Sequence, residues 1–229
     1  MLSKEQIQFY KENGYLIIDN VFPCEDLSLI QNSFNAILDS IINRAKKENS
    51  ECKQSLETIN HNDLSEKMNV LENIDHKYIA EFHDSMSTTN NPYVAKLISS
   101  ESILNVVNLL LSKTYDNPLF MTSSMGMFSL PNNKEHTVVQ WHTDTFYTFK
   151  EGQYVHFWAP VIEDSSKNLG SIHLLPGSHK EPFKGETRDN SNKKSDIHKF
   201  GISDDFVKKY DEIVIEIKQG QGLFFNQYL

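Results

Sequence analysis

His142 and Asp144 stand two residues apart in the run Gln140-Trp141-His142-Thr143-Asp144. One imidazole and one carboxylate at this spacing are two of the three ligands of a 2-His-1-carboxylate facial triad. That set holds Fe(II) on one face and leaves the other open to oxygen and a co-substrate. The spacing matters because a strand turns every second side chain to the same side, and the apolar pair Val138-Val139 leads into the motif. Alone, the triplet is a weak signal. Among nine histidines and thirty-one acidic residues chance pairs arise, and a surface ion pair at a strand end has the same spelling.

The elements that must position such a pair change character partway along the chain. Ser3-Lys4-Glu5-Gln6 has capping-box spacing and opens a short helix that Asn13-Gly14 closes. An apolar strand is expected over 15–18. Pro23 begins a second helix, with Leu27, Ile30, Phe34, Leu38 and Ile41 as its stripe. Residues 46–66 are polar and weakly periodic, and read as loop or loose helix. Helical patterns return over 68–82 and 93–111. From Asn117-Pro118 onward the pattern is one of short alternating segments, at 119–128, 137–141, 154–161, 171–175, 213–218 and 223–228. Pro131-Asn132-Asn133, Lys167-Asn168-Leu169-Gly170, Pro176-Gly177 and Gly220-Gln221-Gly222 punctuate them. Helices followed by many short strands predict an α+β fold whose sheet part is a sandwich or jelly-roll barrel. The charged stretch 184–205 reads as a long loop lying over a site. No internal repeat is visible.

At 229 residues the chain is expected to form one domain, with 1–116 mainly helical and 117–229 the sheet core. Apolar residues make up 38% and charged residues 23%, as in ordinary globular proteins. A net charge of −9 disfavours nucleic acid and anionic membranes as partners. Cys24 and Cys52 form no disulfide framework, and no run is long and apolar enough for a transmembrane span, so a cytoplasmic location is expected. A small molecule is the expected partner, and the oligomeric state is not readable.

Taken in order, His142-x-Asp144, Trp158, Asn168-Leu169-Gly170-Ser171 and Pro176-Gly177-Ser178-His179-Lys180 resemble the phytanoyl-CoA dioxygenase family. Gln6-Ile7-x-Phe9 and Asn13-Gly14-Tyr15-Leu16-Ile17-Ile18 resemble the way many members begin. The resemblance implies a double-stranded β-helix (a cupin-like jelly roll) with helices packed on one side. It implies an Fe(II)- and 2-oxoglutarate-dependent dioxygenase that uses O2 to hydroxylate a small organic substrate. By that resemblance His142 and Asp144 are iron ligands, and Trp158 and Thr143 lie near the co-substrate. Trp158 reads equally well as a core aromatic, and Thr143 stands where many relatives carry glutamine. Relatives that halogenate lack the carboxylate, so Asp144 favours hydroxylation.

His179 follows a rigid Pro-Gly turn, and the resemblance places it in a structural loop rather than on the metal. His156 and His173 sit on strand patterns and read as satisfied core or surface histidines. His61, His76, His83, His136 and His198 read as solvated. In the family the last ligand histidine follows a glycine turn and a short apolar strand, and an arginine further on pairs with the 2-oxoglutarate carboxylate. Here Gly220-Gln221 and 223–229 match that turn and strand, and Arg44 and Arg188 do not match the anchor. The expectation is a C-terminally truncated fragment with its last strands missing, which leaves an open edge and an uncovered apolar face at Leu223, Phe224 and Phe225. Residues 1–229 should then bind iron weakly and turn over little. The alternatives are an inactive jelly-roll relative that only binds a ligand, and a site rebuilt with another histidine or across an interface. A metal-dependent cupin of another class is a minor reading.

Overall fold

A computed structural model describes residues 2–60, 63–87, 90–111, 141–144, 153–181, 188–189 and 200–229. The expected strands over 119–128 and 137–140 lie outside them.

The first helix is built as its sequence predicts. In α1 (Lys4–Asn13) the Ser3 hydroxyl accepts from the Gln6 amide at 3.2 Å, and Gln6 Oε1 accepts from the Ser3 amide at 2.8 Å. Gly14 ends the helix with φ at +83°, its N–H donating to Tyr10 O at 2.7 Å. Strand β1 (Tyr15–Ile18) follows at once.

A helical layer comes next. In α2 (Cys24–Glu48) the five stripe residues Leu27, Ile30, Phe34, Leu38 and Ile41 are all buried. The polar stretch after it is more helical than its periodicity suggests, with a 3-10 turn (Ser50–Cys52) and α3 (Lys53–Glu57), in which only Leu56 is buried. Two of the expected helices are each divided. Asp75 separates α4 (Leu64–Ile74) from α5 (His76–Ser85), because its carboxylate accepts from the Lys77 amide and starts a new helix. Ser99 and Ser100 separate α6 (Pro92–Ile98), capped by Asn91, from α7 (Glu101–Leu111). Lys67 of α4 is fully buried against α2, where Asn35 and Asp39 accept from its ammonium group. No single helix among the described residues is long and apolar enough to cross a membrane.

Strand β7 (Gly222–Asn226) is the middle of a three-stranded antiparallel sheet, between β1 and β2 (Val155–Trp158). Leu223 lies opposite Ile17 on one side and Trp158 on the other, and Phe224 lies opposite Leu16 and Phe157. Alternation then sorts the sheet into two faces. Phe224 joins the helical core, with Val155, Phe157 and Ile18 packed against it. Leu223 joins Leu174, Ile215 and Ile217 in a second cluster, with Tyr15, Ile17, Trp158 and Phe225 around them. The expected uncovered face at 223–225 is therefore corrected. Leu223 and Phe224 are fully buried, one in each of these clusters, and the first strand pairs with the edge expected to be open.

Two shorter antiparallel pairs complete the described strands: β3 (His173–Leu174) with β6 (Ile213–Val214), and β4 (Arg188–Asp189) with β5 (Phe200–Gly201). The pair β4–β5 and helix α8 (Asp204–Val207) fall in or beside the stretch expected to be loop. Helices and antiparallel sheets thus occur together, as an α+β chain requires.

The end of α1 is where the Pro-Gly loop docks. Gly177 N donates to Asn13 O at 3.0 Å, and Asn226 N donates to Gly14 O at 2.8 Å. A Cβ on Gly14 would lie 2.5 Å from His179 Nδ1 and 2.8 Å from Leu229 Cδ1. Gly14→Ala combines a left-handed backbone, costing about 1–2 kcal/mol, with overpacking worth about 1–3 kcal/mol. Its urea midpoint should fall accordingly at an unchanged m-value, whereas an unshifted midpoint would mean that the joint is loose.

Candidate metal centre

The segment 141–144 contains no strand, so its placement depends on bonds to other elements. Ile202 N donates to Trp141 O at 2.7 Å, and the Trp141 ring meets His173 of β3 edge-on at 6.4 Å. Thr143 is buried, and its hydroxyl donates to Gln227 O at 2.7 Å. Gln227, itself buried, also accepts from Tyr154 N through its side-chain carbonyl at 2.6 Å. One residue thereby ties the His-x-Asp segment to the start of β2 and the end of β7. Nothing in the sequence marks Gln227 for this task beyond its place after an apolar strand.

Held in this way, His142 Nε2 lies 3.3 Å from Asp144 Oδ1. Two neighbouring ligands of an octahedral ion with bonds of about 2.1 Å stand about 3 Å apart, so the pair fits a metal. Their side chains are 23% and 34% exposed, open enough for an ion to enter. An imidazole and a carboxylate are donor types that Fe(II) accepts, as do other divalent first-row metals. Among the described residues no group of three His, Cys, Asp or Glu closes around a single point. The described residues therefore offer two candidate ligands, His142 and Asp144.

His156 is brought to the same place. Its Nδ1 lies 3.3 Å from the other carboxylate oxygen, Asp144 Oδ2, and its ring stacks on Phe225 at 5.1 Å. Burial pushes this imidazole below the ordinary histidine range, Asp144 pulls it back up, and His142 adds to the depression. The sequence reads His156 as an ordinary core or surface histidine, whereas the structure sets it beside Asp144. A residue two before Trp158 on a strand shares Trp158's face. Trp158 packs against Leu174, Ile215, Ile217 and Leu223, on the side of the sheet away from the helices. The proton of the Thr143 hydroxyl is committed to Gln227, which leaves it none to donate to a co-substrate in this arrangement.

The other histidines divide as their surroundings dictate. His173 pairs with Glu212 at the surface and His76 with Glu72. His61, His136 and His198 lie outside the described residues. His179 points at α1, where its Nε2–H donates to Lys11 O at 3.1 Å, and its Nδ1 is buried with no hydrogen-bond partner among the described residues. It is a latch between the loop and the first helix.

Burial holds the His179 imidazole below the usual histidine range, with the Lys11 carbonyl opposing that shift. Its folded pKa is therefore the lower one, and the unfolded chain takes up the proton first. Stability contributed by the neutral ring is full above about pH 6.5 and is lost as pH falls through that value toward the folded pKa. His179→Gln keeps a donor for Lys11 O but does not titrate. Between pH 7.5 and 5.5 its urea midpoint should drop less than that of the wild type; equal drops would clear His179 of any part in the acid response.

An imidazole and a carboxylate at ligand spacing, beside the sheet face opposite the described helical core, define a candidate mononuclear metal site. The profile of the phytanoyl-CoA dioxygenase (PhyH) family matches residues 10–229, nearly the whole chain, and the chain belongs to that family. No curated protein matches it.

Proposed function

We propose that the protein is a non-haem Fe(II)- and 2-oxoglutarate-dependent dioxygenase that hydroxylates a small organic molecule. The observation that carries this reading is the 3.3 Å approach of His142 Nε2 to Asp144 Oδ1 in a chain of this family. With 2-oxoglutarate and O2, Fe(II) supplies the oxidising power to hydroxylate an unactivated C–H bond while 2-oxoglutarate is decarboxylated to succinate.

The residues of the chain hold and shield. His142 would bind as a neutral imidazole through Nε2, and Asp144 as a hard anionic oxygen through Oδ1. Phe225, stacked on His156, gives the site an apolar neighbour, and Trp158, on the same face of the sheet, is read as lining the co-substrate pocket. Thr143 acts through its side chain, whose hydroxyl donates to the Gln227 carbonyl and so holds the segment that carries His142 and Asp144. The antiparallel strand pairs are read as parts of a jelly roll over 117–229, with the helices of 1–116 packed on one side as a single domain. Arg44 is paired with Glu81 in the helical layer, away from any co-substrate role.

The test is succinate release from 2-oxoglutarate by purified protein with Fe(II) and ascorbate. Release, however slow, that requires Fe(II) and disappears in His142→Ala supports the reading. Binding of Fe(II) and 2-oxoglutarate without any release would make the protein a ligand-binding relative instead.

A further inference from the structure

We propose that His156 is a positioning residue for Asp144: its Nδ1–H holds Oδ2, so that Oδ1 is turned toward His142 and the metal. This role rests on the metal site proposed above.

Two observations carry it. The first is geometric. The two oxygens of Asp144 face different imidazoles at the same distance, 3.3 Å, with Oδ1 toward His142 Nε2 and Oδ2 toward His156 Nδ1. A carboxylate that binds metal through one oxygen needs its other oxygen fixed, and ligating carboxylates commonly carry such an outer hydrogen bond. Strand β2 is well suited to supply it. Its pairing with β7 sets His156 opposite Phe225, and the stacked ring has few ways to turn.

The second observation is that packing alone does not explain a histidine here. His156 Nε2 is buried with no hydrogen-bond partner among the described residues. A phenylalanine would stack on Phe225 equally well without leaving a buried polar atom unsatisfied. The orphan also fixes the tautomer. A buried lone pair is less costly than a buried unpartnered N–H, so the proton belongs on Nδ1, facing Asp144.

Two variants separate this role from packing and from direct ligation. His156→Phe keeps the ring stack and removes the donor. His156→Asn places an amide N–H near the former Nδ1 and removes the rest of the ring. With Co(II) as the probe and urea midpoints to verify folding, His156→Phe should bind about 10–100-fold more weakly than wild type. His156→Asn should stay within about 3-fold of wild type. His156→Phe with wild-type affinity would overturn the role while leaving the metal site standing. His156→Asn as weak as His142→Ala would also overturn it, because the imidazole would then be a ligand itself. A wild type that binds no Co(II) would remove the metal site and this role together.

Discussion

Replacing Asp144 with alanine should weaken Co(II) or Mn(II) binding by more than about 100-fold, and His142→Ala should do the same. Loss of a mere outer partner of a ligand costs about 10–100-fold. Loss of a ligand of the proposed site should cost more, since Asp144 would supply there both a bond and the only negative charge among the donors described. The measurement is clean because neither residue supports the fold heavily. Asp144 is 34% exposed and His142 23% exposed, and bonds of Trp141 and Thr143 also hold the segment. The unfolding free energy from urea titration should therefore change by less than about 1 kcal/mol. Affinity that collapses at nearly constant stability identifies ligands. An unchanged affinity in Asp144→Ala would remove the carboxylate from the site.

The largest effect on stability is expected at Phe224. It is fully buried at the centre of the middle strand, packs on Phe157 with ring centroids 5.0 Å apart, and joins the sheet to the helical layer. Phe224→Ala opens a cavity at that joint, and such truncations cost about 3–5 kcal/mol. Strands β1 and β2 both pair with β7, so the effect cannot be confined to one edge. Urea unfolding read by tryptophan fluorescence measures it, and a loss under 1 kcal/mol would mean that the sheet and helices barely support each other. Exposed Leu29, at 41%, is the matched control and should change by about 0.5 kcal/mol or less.

Much of this architecture is legible in the sequence where local chemistry governs. The capping box at Ser3, the glycine stop at Gly14, the first strand and the α2 stripe all depend on neighbours within a few residues. Each appears as expected. The misread features depend on a local cap that periodicity does not register or on distant partners. Periodicity runs straight through Asp75 because the residues on both sides are helical, and only the cap it forms on α5 divides them. Strand β7 reads as an open edge when taken alone, yet its cover is β1, some two hundred residues earlier. The site shows the same division. His142 and Asp144 are visible as a motif. Thr143 points away to Gln227, and His156 points in, because of tertiary bonds that no spacing encodes.

The most direct test of the central claim is an anaerobic titration of the protein with Fe(II) in the presence of 2-oxoglutarate, followed by visible absorption. Chelation of the co-substrate to iron held by His142 and Asp144 should produce a metal-to-ligand charge-transfer band that saturates at one iron per chain and is absent in His142→Ala. No band in the wild type, or the same band in the variant, would contradict the account.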